Sequence, residues 1–144
     1  MILAALFLLT QFIFHQEFPS LPPLEITEAD IISVLAEYDV VHESGQLFCQ
    51  QFYGATNFST KTIALCARND SSQQQQTLLH EVVHVLYWRK GIDTGGPYDA
   101  AVDAKSKELF QRYFGIQNAK TVEAVKDAIP INAATPTQET VPQN

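Results

Sequence analysis

The stretch TLLHEVVHVLYW, residues 77–88, decides how the rest of the chain is interpreted. Its apolar residues recur three and four positions apart, the spacing that places side chains on one face of an α-helix. That face carries Leu78, Leu79, Val82, Val83 and Leu86. His80 and His84 lie nearly opposite it, so the pattern predicts a helix that buries its aliphatic side chains and turns both imidazoles away from the core.

His80 and His84 are four residues apart, and this spacing suits a shared metal ion. Side chains at i and i+4 have Cβ atoms about 5–6 Å apart, so both imidazoles can reach one zinc ion through bonds of about 2.0–2.1 Å. Glu81 points about 100° around the helix from His80, where it flanks the metal as a general base without ligating it. The alternative is an exposed helix that carries two histidines and no metal.

Length, composition and charge limit the class of protein. A chain of 144 residues suits one domain, and a hydrophobic content of 46% can form a packed core. The net charge of −7 is opposite in sign to the charge that a phosphate backbone attracts. No nucleic-acid partner is therefore expected.

The first fourteen residues, MILAALFLLTQFIF, form the most apolar run of the chain. They are shorter than the roughly 20 residues of a spanning helix. Their length suits the apolar region of a signal peptide, but no positive charge precedes them and no clear small-x-small cleavage site follows. Export or membrane anchoring through residues 1–14 and an N-terminal helix packed on a cytoplasmic domain are both left open, and membrane contact is expected only if this segment is an anchor.

Prolines divide the chain into three parts. Residues 1–23 comprise the apolar segment and a linker with three prolines within residues 19–23, which cannot continue a helix. Residues 24–129 form the predicted domain. Residues 130–144 contain three prolines and few apolar side chains, so a disordered tail is expected there.

The domain is predicted to be α+β, with a short antiparallel three-stranded sheet packed on the motif helix and on a second helix. Strand propensities and turn residues predict the strands, and capping and periodicity predict the helices. The predicted order is a helix over 28–38, strands over 39–43, 46–53 and 60–67, the motif helix capped by Gly91, a long helix over 98–114 and a short helix near 120–128.

Cys49 and Cys66 are the two cysteines of the chain. A hairpin closed about Asn57 and Phe58 would place them directly opposite each other, at a Cα separation of about 4.5–5.5 Å. Neighbouring cysteines are therefore predicted, either as two buried thiols or, if the chain is exported, as a disulfide. Their number and spacing argue against a cysteine-ligated zinc site.

A catalytic zinc site uses three protein ligands and leaves a position for water, so a third ligand is needed. On the helix after the glycine-containing loop, Asp99 and Asp103 share the apolar face that is predicted to point inward. A buried carboxylate is costly unless it is paired or binds a metal. One aspartate could ligate zinc while the other accepts the N–H of a ligand histidine. A helix cap is the alternative role, and Asp93 in the loop is the alternative ligand.

The order of these elements resembles the small zincin metallopeptidases with an HExxH motif, and is most similar to the minimal ImmA/IrrE-type and phage-type enzymes. HEVVH and DAAVD carry the resemblance, which covers residues 26–115. It implies a zincin-like fold in which His80, His84 and Asp99 bind zinc and Asp103 is the orienting partner. This chain has Asp where the family has Glu, and Val102 where alanine is usual.

The resemblance and the residues together predict a zinc-dependent metallopeptidase with one Zn²⁺ per chain. Glu81 would take a proton from a zinc-bound water that attacks a peptide carbonyl, and deliver it to the leaving amine. Tyr87, on the histidine side of its helix, is a candidate for stabilising the oxyanion. A peptide or protein substrate would add as a strand to an exposed sheet edge. The alternative is a catalytically silent, metal-stabilised protein-binding module, which a closed fourth ligand position would favour.

Overall fold

A computed structural model describes residues 20–114. The apolar N-terminal run, the predicted helix near 120–128 and the predicted tail lie outside the described residues. The described part is an α+β arrangement with four α-helices, one 3₁₀ turn and three strands. Its elements are α1 (Glu28–Glu37), β1 (Asp39–Glu43), α2 (Gln46–Gln51), β2 (Gly54–Asn57), β3 (Thr62–Cys66), α3 (Ser71–Arg89), the 3₁₀ turn (Gly96–Tyr98) and α4 (Asp99–Phe114).

The motif helix α3 is the centre of the fold. It contacts α1, α4, β2 and β3. Every residue of the predicted apolar face is buried, which confirms the periodicity; these are Leu78, Leu79, Val82, Val83 and Leu86. Asp70 caps its N-terminus by accepting the Gln73 N–H at 2.8 Å. Gly91, with φ +76°, follows its C-terminus, and its N–H donates to the Trp88 carbonyl.

The other helices cover the apolar surface of α3. Helix α1 begins with a capping box in which Thr27 Oγ1 accepts the Asp30 N–H and the Asp30 carboxylate accepts the Thr27 N–H. It buries Ile31 and Val34 against the core. Helix α4 buries Val102, Ser106, Leu109 and Tyr113. None of the helices within residues 20–114 is long and apolar enough to cross a membrane.

The sheet is mixed, so the prediction of an antiparallel three-stranded sheet is wrong. Its strand order is β1-β3-β2, with β1 parallel to β3 and β2 antiparallel to β3. The parallel pair forms because both α2 and β2 lie between β1 and β3 in the chain, which makes the connection a crossover and not a hairpin.

The strand predicted over 46–53 is also wrong, because residues 46–51 form helix α2. Phe48 and Phe52 are four residues apart and pack with ring centroids 5.6 Å apart, a contact of helical spacing. The strand that pairs with β3 is instead Gly54–Asn57, within the stretch that was interpreted as a loop. The register is therefore different from the predicted one: Gly54 pairs with Leu65 and Asn57 with Thr62.

A disulfide joins Cys49 and Cys66, whose Cα atoms are 5.2 Å apart. The predicted geometry, two cysteines opposite each other on adjacent strands, does not hold. Cys49 lies on α2, and Cys66 ends β3 with 1% of its surface exposed. Helix α2 buries none of its own residues, so the disulfide is its covalent attachment to the sheet.

Candidate metal centre

Helix α3 presents His80 and His84 on the side away from its apolar face, as predicted. Their side chains are 17% and 14% exposed. The two Nε2 atoms are 3.0 Å apart because residues one helical turn apart lie one above the other. The two imidazoles thus point at one shared position.

Asp99 completes the group from a second helix. It is the first residue of α4, which packs against α3. Its Oδ1 atom lies 3.0 Å from His80 Nε2 and 3.2 Å from His84 Nε2. A tetrahedral ion with bonds of about 2.0–2.1 Å separates its ligand atoms by about 3.3–3.4 Å, so the triangle in this structure is close to the size that a metal needs. His80, His84 and Asp99 could therefore hold a metal ion.

The Nδ1 atoms of both imidazoles, which lie on the opposite side of each ring from the converging Nε2 atoms, face oxygen atoms. His84 Nδ1 lies 2.5 Å from Thr94 Oγ1, and His80 Nδ1 lies 3.6 Å from Asp103 Oδ1. With protons on both Nδ1 atoms, the two Nε2 lone pairs and the Asp99 oxygen all face one another. Three such electron-rich atoms repel each other unless a cation or a proton lies between them. The donor set therefore fits a cation.

Burial lowers the pKa of His84, because removing the imidazole from water disfavours its charged form. The neighbouring Glu81 carboxylate acts in the opposite direction, and the nearby His80 ring lowers the pKa further. The net direction keeps His84 neutral at pH 7, and neutral imidazole is the form that ligates a metal.

Asp99 and Asp103 are more exposed than the sequence predicted. Their side chains are 60% and 48% exposed, although Val102, Leu109 and Tyr113 of the same helix are buried as expected. The prediction that both carboxylates are buried is therefore wrong. Both aspartates lie at the edge of the apolar face, where they reach the histidines and also contact water.

Glu81 is 6% exposed and lies beside the group without joining it. Its Oε2 atom accepts a hydrogen bond of 2.5 Å from Thr56 Oγ1 of β2. A buried carboxylate with one hydrogen-bonded oxygen is held in a fixed orientation and keeps its second oxygen for another partner.

A cavity of about 510 Å³ opens beside these residues. Its lining comes from α3, α4 and the segment that joins α2 to β2. It includes His80, Glu81, Asp99, Asp103, Ser106, Lys107, Gln73, Gln76, Thr77, Gln51, Phe52, Tyr53 and Gly54. His80, Asp99 and Glu81 thus face one cavity, and His84 contacts His80 without lining it.

Two other candidates from the sequence are not brought to the group. The Tyr87 hydroxyl donates to the Pro22 carbonyl at 2.7 Å, and Tyr87 lines a different cavity. Burial also raises the pKa of Tyr87. The hydroxyl proton of Tyr87 is thus hydrogen-bonded to Pro22 and not directed at the histidines. The Asp93 carboxylate accepts the Gly95 N–H at 2.9 Å within its own loop.

Thr94 and Thr56 were missed by sequence reasoning. Thr94 is 3% exposed and contacts His84, but the candidate that the sequence indicates in its loop is Asp93. Thr56 contacts Glu81 from a stretch that was interpreted as a turn. A threonine in a loop carries no local signal of such a long-range contact.

No family model, curated protein or solved structure matches this chain. The functional conclusion therefore depends on the donor set, the neighbouring carboxylate and the cavity of the described residues.

Proposed function

We propose that this protein is a zinc-dependent metallopeptidase of the HExxH type, with a fold similar to the small zincins. The observation that carries the proposal is the buried Glu81 carboxylate, which lines the same cavity as His80 and Asp99, two of the three candidate metal ligands. Three ligands are the number used by catalytic zinc sites. Within residues 20–114, the group has no fourth His, Cys, Asp or Glu ligand.

His80, His84 and Asp99 would hold the zinc ion. When bound, zinc supplies Lewis acidity, which polarises a carbonyl oxygen and makes water more acidic. Thr94 Oγ1 would accept a hydrogen bond from the Nδ1 proton of His84. This holds the proton on Nδ1, so that Nε2 offers its lone pair to the metal. Asp103, facing His80 Nδ1, would do the same for His80.

Glu81 would act as the general base and then as the general acid. Its carboxylate takes one proton from the attacking water, whose oxygen forms a bond to the peptide carbonyl carbon. The C–N bond then breaks, and Glu81 delivers the proton to the leaving amine nitrogen. The hydrogen bond from Thr56 holds one carboxylate oxygen and leaves the other free for this transfer.

The substrate would bind as an extended peptide along β2. This strand is at one end of the sheet order and pairs with β3 on one side. Such an edge offers backbone N–H and C=O groups to an added strand. Gly54, the first residue of β2, lines the cavity that holds Glu81, so a peptide at this edge would pass the proposed catalytic group.

Metal content and hydrolysis of the wild type and of Glu81→Gln test the proposal. Protein purified without a histidine tag is analysed for metals and incubated with an internally quenched peptide mixture. We expect about one zinc per chain in both proteins. The Gln variant should be slower by roughly 10²–10⁴-fold, because it cannot accept the proton.

Glutamine has the shape of glutamate and can still accept the Thr56 hydrogen bond, so the variant changes the proton acceptor and little else. Wild-type protein that binds no zinc would refute the proposal. Protein that binds zinc but cleaves none of the peptides would instead be a metal-stabilised binding module.

A further inference from the structure

Phe52 and Tyr53 form an aromatic wall on the cavity that holds His80 and Glu81. Phe52 is 47% exposed and Tyr53 is 63% exposed, although both carry large aromatic rings. Adjacent aromatic side chains that contact water at a cavity are typical of a binding surface, because a ligand that covers them removes apolar area from water.

The backbone beneath these two side chains is fixed at several points. The Cys66 N–H donates to the Tyr53 carbonyl at 2.8 Å, and the Phe52 N–H donates to the Phe48 carbonyl at 2.8 Å. The disulfide from Cys66 to Cys49 ties the preceding helix to the same strand. A surface held in this way loses little conformational freedom when a ligand binds, which favours affinity.

The chemistry of the wall and of the cavity around it disfavours acidic side chains. Gln51, Phe52 and Tyr53 are uncharged. Lys107, on α4, also lines the cavity, but its ammonium lies 2.8 Å from the Asp103 carboxylate. An acidic side chain placed against the wall would lose its hydration and would also face the Glu81, Asp99 and Asp103 carboxylates of the same cavity, whereas an apolar side chain would gain contact area.

We infer that Phe52 and Tyr53 select peptides with a large apolar side chain, such as Leu, Met or Phe, next to the bond that lies at Glu81. This inference names the substrate class and rests on the proposed function. The aromatic wall shares one cavity with His80, Asp99 and Glu81, so a peptide bound across it would contact both groups.

Equilibrium binding in the Glu81→Gln background tests the inference without turnover. Three blocked hexapeptides are identical except for one central residue, which is Phe, Ala or Glu. Their dissociation constants for the zinc-loaded protein are measured by fluorescence anisotropy. We expect the Phe peptide to bind about tenfold more tightly than the Ala peptide, from the apolar area that its ring buries, and the Glu peptide to bind no better than the Ala peptide.

Adding Phe52→Ala and Tyr53→Ala should reduce the Phe-to-Ala ratio toward one. Leu47→Ala is the matched control: Leu47 lies on α2 and is 76% exposed, but it does not line the cavity. The ratio should persist in that variant. If circular dichroism shows that the double variant is unfolded, Tyr53→Ala alone replaces it, because the Cys66 hydrogen bond uses only the Tyr53 backbone.

The inference would be overturned if these substitutions left the Phe-to-Ala affinity ratio unchanged. It would also be overturned if the Phe and Ala peptides bound equally to the Glu81→Gln protein. Cleavage of the same peptides by the wild type is measured separately. If the wild type cleaves peptides but the Phe-to-Ala affinity ratio does not depend on Phe52 and Tyr53, only this inference fails. If it cleaves none and the ratio still depends on both residues, the proposed function fails and the recognition of apolar side chains stands.

Discussion

Asp99 and Asp103 differ in what their carboxylates contact. The Asp99 Oδ1 atom lies within 3.2 Å of both histidine Nε2 atoms. Asp103 faces the opposite nitrogen of His80 at 3.6 Å, and its second oxygen lies 2.8 Å from the Lys107 ammonium. The first position suits a candidate metal ligand, and the second suits a group that would orient His80.

Substitution of the two aspartates should separate these roles. Asp99→Ala removes a candidate ligand and should abolish tight zinc binding. Asp103→Ala removes an orienting contact and should weaken zinc binding by about 10–100-fold. Both affinities are measured by competition with a chromophoric chelator. Asp103→Asn is the control for side-chain size. Loss of zinc in Asp103→Ala but not in Asp99→Ala would exchange the two assignments.

Thr94 provides a separate test at the residue scale, because its hydroxyl contacts His84 Nδ1. Thr94→Val keeps the shape of this buried side chain but removes the oxygen. We expect zinc affinity to fall by roughly 10–100-fold. Thr94→Ser restores a hydroxyl and should restore most of the affinity. Equal zinc affinity in the Val variant and the wild type would show that the His84 tautomer does not depend on Thr94.

At the scale of elements, β2 lies unusually close to α3, and Gly54 makes this approach feasible. A Cβ atom at Gly54 would lie 2.5 Å from Thr77 Cγ2 and 3.1 Å from the Ala64 carbonyl oxygen. Thr77 is 6% exposed, so its side chain has little room to move. The absence of a side chain at Gly54 therefore sets the distance between the edge strand and the motif helix.

Gly54→Ala should destabilise the protein by about 1–3 kcal/mol, as expected when a methyl group is forced into a packed contact. Urea unfolding measures the change. Gly45→Ala is the control, because a Cβ atom there has no heavy atom within 4 Å. Its effect should stay within about 0.5 kcal/mol. Similar stabilities for the two variants would mean that β2 can move away from α3 at little cost.

At the scale of the whole molecule, the candidate site is assembled from separate parts of the chain. Helix α3 supplies His80, Glu81 and His84, α4 supplies Asp99, β2 supplies Thr56, and the loop before α4 supplies Thr94. The cavity wall begins at Gln51, the last residue of α2, and continues through Phe52 and Tyr53; α2 is bound to β3 through Cys49 and Cys66. The stability of the fold and the shape of the cavity are therefore linked through this disulfide.

Cys49→Ala breaks the disulfide and leaves the buried Cys66 side chain in place. The bond closes a segment with a sequence separation of 17, and a loop of this length is expected to contribute about 3 kcal/mol through the entropy of the unfolded chain. Urea unfolding under oxidising conditions measures this loss, with Leu47→Ala on the same helix as the control. Equal stability of Cys49→Ala and the wild type would contradict the expected contribution.

Features that depend on local geometry can be predicted from the amino-acid sequence alone. The 3.6-residue period placed the apolar face of α3 in the core and both histidines on the other side, since neighbouring positions on a helix follow from spacing alone. The cap predicted at Gly91 marks the end of α3 for the same reason. Asp99 and Asp103 could be singled out because they share a helix face, but the sequence did not predict that their side chains are exposed.

Which distant segments of the chain meet depends instead on how the whole chain packs. Residues 46–53 have apolar side chains compatible with a strand or a helix, and their contacts made residues 46–51 a helix. The GATN strand has weak strand propensity, so its pairing with β3 and its contact with α3 determine its conformation. The contacts of Thr94 with His84 and of Thr56 with Glu81 span loops and strands. Such contacts depend on chain packing, because no local period relates residues so far apart in sequence.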